Sequence, residues 1–459
     1  MPAHDHCHCR DYTRSQLMKG AAAQAGKGLP AIETGMPAPA GTGLSRRSFM
    51  LRSAGLALSV YGASKLPLRA FEEGIANAAT PPRVLVSLFF DGGIDSLNVL
   101  APIDNPTYHD LRPTLALSSG TLIEPDSDPN TRLYWHPSAA KLATLYGEDK
   151  VSVFPAIGYD SPNQSHFTSR HYYEIGDVNV GYNTGWLGRY IDRVGADDNP
   201  LQGLALGYEL SPSLATATMP VAAVDSVTDY DLWSHVDSDP VQARMYDSFG
   251  RMGSLSPTPV SDSPSTIQAR KAMQQTEQLR EQLANFNNIS STITYPNTYL
   301  GRQLKSLAAM LAAGLPIQVV TLSATGGYDT HSSQAATLDG NLASTCDAIF
   351  AFQRDLEARA LDDRVLLEAW SEFGRRPEEN ADGTDHGAAG LAFVIGKHAG
   401  GGMVGNFPGL ATLDPQDNLL HTTDFQAMYC TLFEDWLQTD PTGLIPDEGS
   451  VGRYTGLIV

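Results

Sequence analysis

The chain has 459 residues, 42% of them hydrophobic, which allows one large domain or two medium ones with a sizeable core. It holds no apolar run long enough for an ordinary membrane-spanning helix. The formal charge of −20 is unevenly placed: residues 1–78 carry nine Lys/Arg against five Asp/Glu, and the remainder 22 against 46, so the body repels phosphate backbones and a nucleic-acid partner is disfavoured.

Residues 1–44 read as a disordered extension, rich in Ala, Gly and Pro from residue 20 on. His4, His6, Cys7, His8 and Cys9 could chelate metal there adventitiously. Ser45-Arg46-Arg47-Ser48-Phe49-Met50 precedes a modestly apolar run, Ser53 to Tyr61. An arginine pair followed by weak hydrophobicity is the arrangement of a twin-arginine export signal over 45–78, read by the twin-arginine machinery. Ala76-Asn77-Ala78 offers a small-x-small cleavage site. The product is then periplasmic or extracellular, or stays membrane-associated if the signal is kept; the plainer alternative is a basic-capped helix of the mature protein. Cys346 and Cys430, in apolar helical stretches, read as buried thiols, with one disulfide as the alternative.

Arg83 to Phe90 is a continuous β-branched and aromatic run and predicts a buried strand ending at Asp91-Gly92-Gly93. Helical spacing follows over 136–146, a strand over 151–157, and a polar loop leading to a helix from about Ser165. The stretch 207–296 breaks this rhythm with Ser, Pro and Asp and then a polar helix near 265–287, which predicts an inserted cap. A helix over 298–315, a strand over 316–322, a helix over 338–360, strands over 365–370 and 391–395 and a helix over 424–437 complete the alternation. Strands alternating with helices predict an α/β fold with a largely parallel, doubly wound sheet. The aromatic residues Phe154, Trp186 and Tyr190 are read as core.

In such a sheet, chemistry gathers beyond the carboxyl ends of the strands. Four segments put polar side chains at or near strand ends. Asp91 follows the first strand, as a ligand or as an Asx cap. Ser165, in Asn163-Gln164-Ser165-His166-Phe167, is either a plain N-cap or a nucleophile at a helix N-terminus. Asp329 and His331, after the strand near residue 322, can reach one divalent ion, or lie in a solvated turn. Glu372-Phe373-Gly374-Arg375 with Asp385-His386 forms the fourth, in which Arg375 could hold an anion. Three Asp residues and two Asp/His pairs make an inventory suited to two metal ions that activate Ser165 or a water.

These markers, together with Ser96-Leu97-Asn98, Thr384-Asp385-His386-Gly387 and Thr423-Asp424-Phe425, occur in the order of an uncharacterised exported bacterial family, domain of unknown function 1501, which residues 80–459 resemble. That family in turn resembles the alkaline-phosphatase-like superfamily of phosphatases, sulfatases and phosphomutases. The resemblance implies a two-metal site with Asp91, Asp385 and His386 on one ion, Asp329 and His331 on the other, and Ser165 at the nucleophile position. It also implies a further late histidine, for which His398 and His421 are both candidates. Ser165 lacks the sulfatase x-Pro-x-Arg context, so chemistry through a modified cysteine is not expected. The expected function is an exported metal-dependent hydrolase of phosphate or sulfate esters, its ions zinc or manganese rather than calcium. The alternatives are a non-catalytic binding or assembly protein that keeps the fold, and a purely structural metal.

Overall fold

Within Val84–Phe89 every side chain is buried, yet Val84, Val86 and Leu88 enter one apolar core and Leu85 and Phe89 another. A strand that alternates between two apolar layers lies in a sheet covered on both faces. The computed structural model describes residues 58–61, 82–124, 128–179, 181–196, 199–225 and 289–459, with 244, 248, 251 and 252. The expected tail, arginine pair, cleavage site and polar helix near 265–287 lie outside the described residues.

In chain order the strands are β1 (Leu58–Tyr61), β2 (Val84–Phe89), β3 (Leu100–Ala101), β4 (Thr121–Leu122), β5 (Tyr134–Trp135), β6 (Val151–Gly158), β7 (Gly203–Leu206), β8 (Val221–Val224), β9 (Val319–Ser323), β10 (Val365–Trp370), β11 (Arg375–Glu379), β12 (Thr384–His386), β13 (Gly390–Ile395), β14 (Gly402–Met403) and β15 (Thr423–Asp424). The helices are α1 (Ser96–Val99), α2 (Pro106–Leu111), α3 (Ala140–Tyr146), α4 (His166–Ile175), α5 (Trp186–Val194), α6 (Tyr299–Ala312), α7 (Gln334–Ala358) and α8 (Phe425–Thr431). The central sheet runs β1-β8-β7-β9-β2-β10-β13-β6-β14, with β15 also on β6. β8, β7, β9, β2 and β10 are mutually parallel; β13 runs antiparallel between β10 and β6, and β1 antiparallel on β8. The expected α/β class and largely parallel sheet are what the structure has. β8, a strand of the central sheet, falls within the 207–296 stretch.

Leu142 of α3, Leu300, Leu304 and Leu307 of α6, and Leu338, Leu342 and Ile349 of α7 cover one face. Tyr173 of α4, Trp186, Leu187 and Ile191 of α5, and Met428 and Tyr429 of α8 cover the other. Each fully buried large apolar side chain contributes about 1.5–3 kcal/mol. Phe154, Trp186 and Tyr190 are core, as the sequence predicts. Cys346 and Cys430 are buried free thiols in cores on opposite faces of the sheet, which rules out the disulfide alternative. Among the described residues, no helix is long and apolar enough to cross a membrane.

Candidate metal centre at the carboxyl edge of the sheet

β2, β9 and β10 end side by side, and the loops that leave them are tied together by their main chains. Tyr328 N–H donates to Asp91 O at 2.8 Å, and Phe90 N–H to Trp370 O at 2.8 Å. Gly92 (φ +112°) lies so close to Asp329 that a Cβ there would run into the Asp329 amide, and Gly93 (φ +71°) lies against the Phe373 ring. Gly93→Ala should therefore cost about 2–4 kcal/mol, combining left-handed strain with overpacking. A urea midpoint equal to that of the wild type would show that the loop gives way instead.

The antiparallel course of β13 brings the hairpin β11–β12 to this same edge. His386, which precedes β13 in the chain, thus stands beside residues that follow β2, β9 and β10. α4 adds His166 from its first turn. One ligand atom each from His166, Asp329 and His386 lie within 4.8 Å of one another. His386 Nε2 is 3.3 Å and His166 Nε2 3.5 Å from the Asp329 carboxylate. His331 Nε2 joins them, 3.0 Å from Asp329 Oδ1 and 3.0 Å from His386 Nε2.

Each ring is held from behind. His166 Nδ1 meets Glu372 Oε1 at 2.7 Å, His331 Nδ1 meets Asp385 Oδ1 at 3.1 Å, and His386 Nδ1 meets Gln164 O at 2.8 Å. A carbonyl or carboxylate can only accept, so each Nδ1 donates and each Nε2 is left facing Asp329, to which it donates while it carries a proton and presents a lone pair once the proton has left. Glu372 is itself fully buried and accepts from Gly92 N–H at 3.0 Å; Asp385 accepts from Asn380 Nδ2 at 2.7 Å. Imidazoles fixed at Nδ1 by carboxylate or carbonyl acceptors, with Nε2 convergent, are the arrangement that orients histidine toward a metal. Three imidazoles and one carboxylate suit zinc, manganese or iron better than calcium. The donor set therefore fits a divalent transition metal.

The electrostatics agree. Burial opposes ionisation of Asp329, but hydrogen bonds from His166, His331 and His386 and the Arg375 charge hold its carboxyl far below the usual range. Burial likewise opposes charge on His166 and His331, yet Asp329, with Glu372 beside the first and Asp385 beside the second, carries both up to about 9. For His386 burial dominates and its pKa falls. One ionised carboxylate thus stands where the Nε2 atoms meet, with the Arg375 guanidinium beside it, 3.3 Å from His331 Nε2.

The structure brings Asp329, His331 and His386 together, whereas the resemblance implies His386 on one ion with Asp91 and Asp385 and the other two on a second; Asp385 stands one step behind, on His331. Asp91 reaches the same edge, but its carboxylate is outside the converging group and 3.9 Å from Arg170 Nη1. Ser165 is the N-cap residue of α4, although its side chain makes no cap bond; its own N–H donates to Asn163 Oδ1 at 2.8 Å. Arg375, expected to hold an anion, is fully buried and spends its donors on the protein. Nε goes to Gly93 O at 2.7 Å, Nη1 to Thr384 O at 2.9 Å, and Nη2 to Asp329 Oδ1 at 2.6 Å, to Tyr328 O at 3.2 Å and to Gly92 O. It binds the loops to one another, and the anion-holding role is corrected on that ground.

Of the two late histidines, His398 follows β13 and is carried to the far end of the sheet, where it meets Asp363 at 3.3 Å and Val459 O at 2.7 Å. His421 packs on Gly158 at the near end, 3.6 Å from Asp160. The sequence reading passed over two residues with clear roles, His166 and Glu372. Both stood in segments it had singled out.

A comparison with curated proteins finds no match. Among solved structures the chain is similar to Ps i-CgsB in complex with k-i-k-neocarrahexaose (10% identity, TM-score 0.32, 77% of this chain and 71% of that one). It is similar also to the lipoteichoic acid synthase LtaP from Listeria monocytogenes (8%, 0.32, 80% and 74%). A third is the integral membrane protein lipooligosaccharide phosphoethanolamine transferase A (EptA) from Neisseria meningitidis (12%, 0.32, 85% and 60%). The family described as "Protein of unknown function (DUF1501)" matches residues 156–435, more than half of the chain, and the chain belongs to it.

Proposed function

We propose that this protein binds a divalent transition-metal ion, zinc or manganese, through His166, Asp329, His331 and His386, and is an exported hydrolase of phosphate or sulfate esters. The observation that carries the reading is the convergence of three Nε2 atoms on one carboxylate, each ring held at Nδ1 by a separate acceptor. An ion held there supplies Lewis-acid stabilisation to an anionic ester oxygen. Glu372 and Asp385 hold their imidazoles with Nδ1 protonated and Nε2 turned toward Asp329. Arg375 fixes Asp329 against the loops after β2. Ser165, one residue before His166 and free of capping duty, is the proposed nucleophile. Among the described residues only one group of three or more ligand side chains converges, so the proposal places one ion in this set and leaves Asp91 facing Arg170. Export rests on the arginine pair at 46–47.

The burial of Arg375 favours a second reading, a metal-bearing binding protein without turnover, since the cation expected to grip an anionic ester is committed to the loops. Elemental analysis of the purified full chain, followed by a panel of aryl phosphate and sulfate esters, separates the two. The hydrolase reading expects bound metal, together with turnover that Ser165→Ala lowers by about 10³-fold or more. A metal-loaded protein that turns over no ester in the panel supports the binding reading. A protein that takes up no zinc or manganese removes both.

A further inference from the structure

The geometry points to Gln334 as a positioning residue that sets the spacing of the two ligand-bearing segments, 329–331 and 384–386; the inference rests on the metal reading above. Gln334 opens α7 and is fully buried, with its main-chain N–H on Asp382 O at 2.9 Å. Its Oε1 accepts from Thr330 Oγ1 at 3.0 Å and from Thr384 Oγ1 at 2.6 Å. Thr330 lies between Asp329 and His331, and Thr384 two residues before His386, so one amide oxygen ties both segments. Thr384 N–H also donates to Thr330 O at 3.1 Å, which makes the two strands of chain move together.

The amide cannot turn over. Its Nε2 donates to Asp95 Oδ2, and a carboxylate, which only accepts, would repel Oε1 in that place. Asp95 is in turn locked by Arg112, with contacts of 2.6 and 3.0 Å, both side chains fully buried. Arg112 spends its remaining reach on Arg376 O at 2.9 Å and Pro377 O at 2.8 Å, in the other strand of the hairpin that carries His386. Arg112–Asp95–Gln334 thus forms a closed brace around the hairpin. Its free end fixes how closely His331 Nε2 approaches His386 Nε2. A buried ion pair adds little net stability by itself, and this one has a geometric use.

The test measures zinc affinity by chelator competition, and cobalt-substituted visible spectra, on the metal-stripped full chain. Gln334→Met keeps the volume and removes both hydrogen-bonding ends; it should weaken zinc binding by about 10–100-fold and alter the cobalt spectrum while the circular dichroism stays native. Thr384→Val should weaken binding in the same direction, Thr384→Ser should restore it, and Thr384→Val should add little in the Gln334→Met background, because the two act through one contact. If Gln334→Met does not fold, the Thr384→Val and Thr384→Ser pair decides. Folded variants that bind zinc as the wild type does overturn the brace. Wild-type protein that binds no zinc overturns the metal reading instead, and the two failures are told apart by that control.

Discussion

Replacing Asp329 by Asn should remove stoichiometric zinc or manganese, weakening binding by at least about 100-fold, and abolish any ester hydrolysis with it. Asp329 is the one acidic group that touches all three convergent imidazoles, at 3.0, 3.3 and 3.5 Å, so its charge is what a cation would share with His166, His331 and His386. The substitution keeps shape and hydrogen-bonding capacity but deletes that charge. It also leaves Arg375, fully buried, without its carboxylate. Four main-chain carbonyls still accept from the guanidinium, which limits the loss of stability to about 1–3 kcal/mol rather than the larger cost of stranding a buried charge. The variant should therefore fold, with a lowered urea midpoint, and fail to hold metal. Metal content and thermal unfolding measured on the same preparation check both halves. Retention of one ion per chain would move the binding site elsewhere.

The strands that frame this site were legible for a physical reason. β2 and β10 are buried on both faces, so their sequences are apolar runs interrupted by Ser87 and Glu368 alone, and the polar residues that follow them, Asp91 and Ser371, mark the edge of the sheet. The direction of β13 was not legible. An apolar run of six residues reads the same whichever way it lies, yet its reversal decides that His386, before it, reaches the site and that His398, after it, does not. Arg375 is offered by the sequence as an anion holder because a guanidinium near a strand end matches an anion bidentately. Its carbonyl partners come from Gly92, Gly93, Tyr328 and Thr384, three of them hundreds or tens of residues away, and no local pattern announces them. His166 was overshadowed by Ser165 for a similar reason. Its role depends on Glu372, 206 residues on, and only pairing α4 with the end of β10 puts the two together. The strand-end rule located the edge; tertiary pairing then chose which side chains at that edge converge.

The same sheet carries a carboxyl group that no strand-end argument reaches, and it should shape the stability profile between weakly acid and neutral pH. Glu368 lies in the middle of β10, fully buried, facing the core that contains Leu366 and Trp370. Neither of its oxygens completes a hydrogen bond among the described residues. Ser87, in register on β2, accepts from Trp370 Nε1 at 3.0 Å, which leaves its own O–H to face Glu368 and offset the burial only in part. Burial therefore pushes the Glu368 carboxyl up to about 8, from 4.5. Tyr429, which faces it from the covering helix α8, is held neutral by burial and supplies no compensating charge. Between those two values the unfolded chain has released the proton and the folded chain keeps it. The Glu368 contribution to stability consequently falls as pH rises from about 4.5 to about 8 and is level beyond, a loss of roughly 5 kcal/mol. Glu368→Gln removes that proton equilibrium. At pH 5 the variant should match or fall slightly below the wild type, because a buried amide also lacks partners. At pH 8 it should be the more stable protein by several kcal/mol, and the difference between the two urea midpoints should grow steadily across the interval. Taking that difference cancels the titration of the metal-site histidines, which both proteins share. A gap independent of pH would mean that Glu368 ionises in the folded protein much as it does in the unfolded chain, and that the core around it admits enough water to solvate the charge.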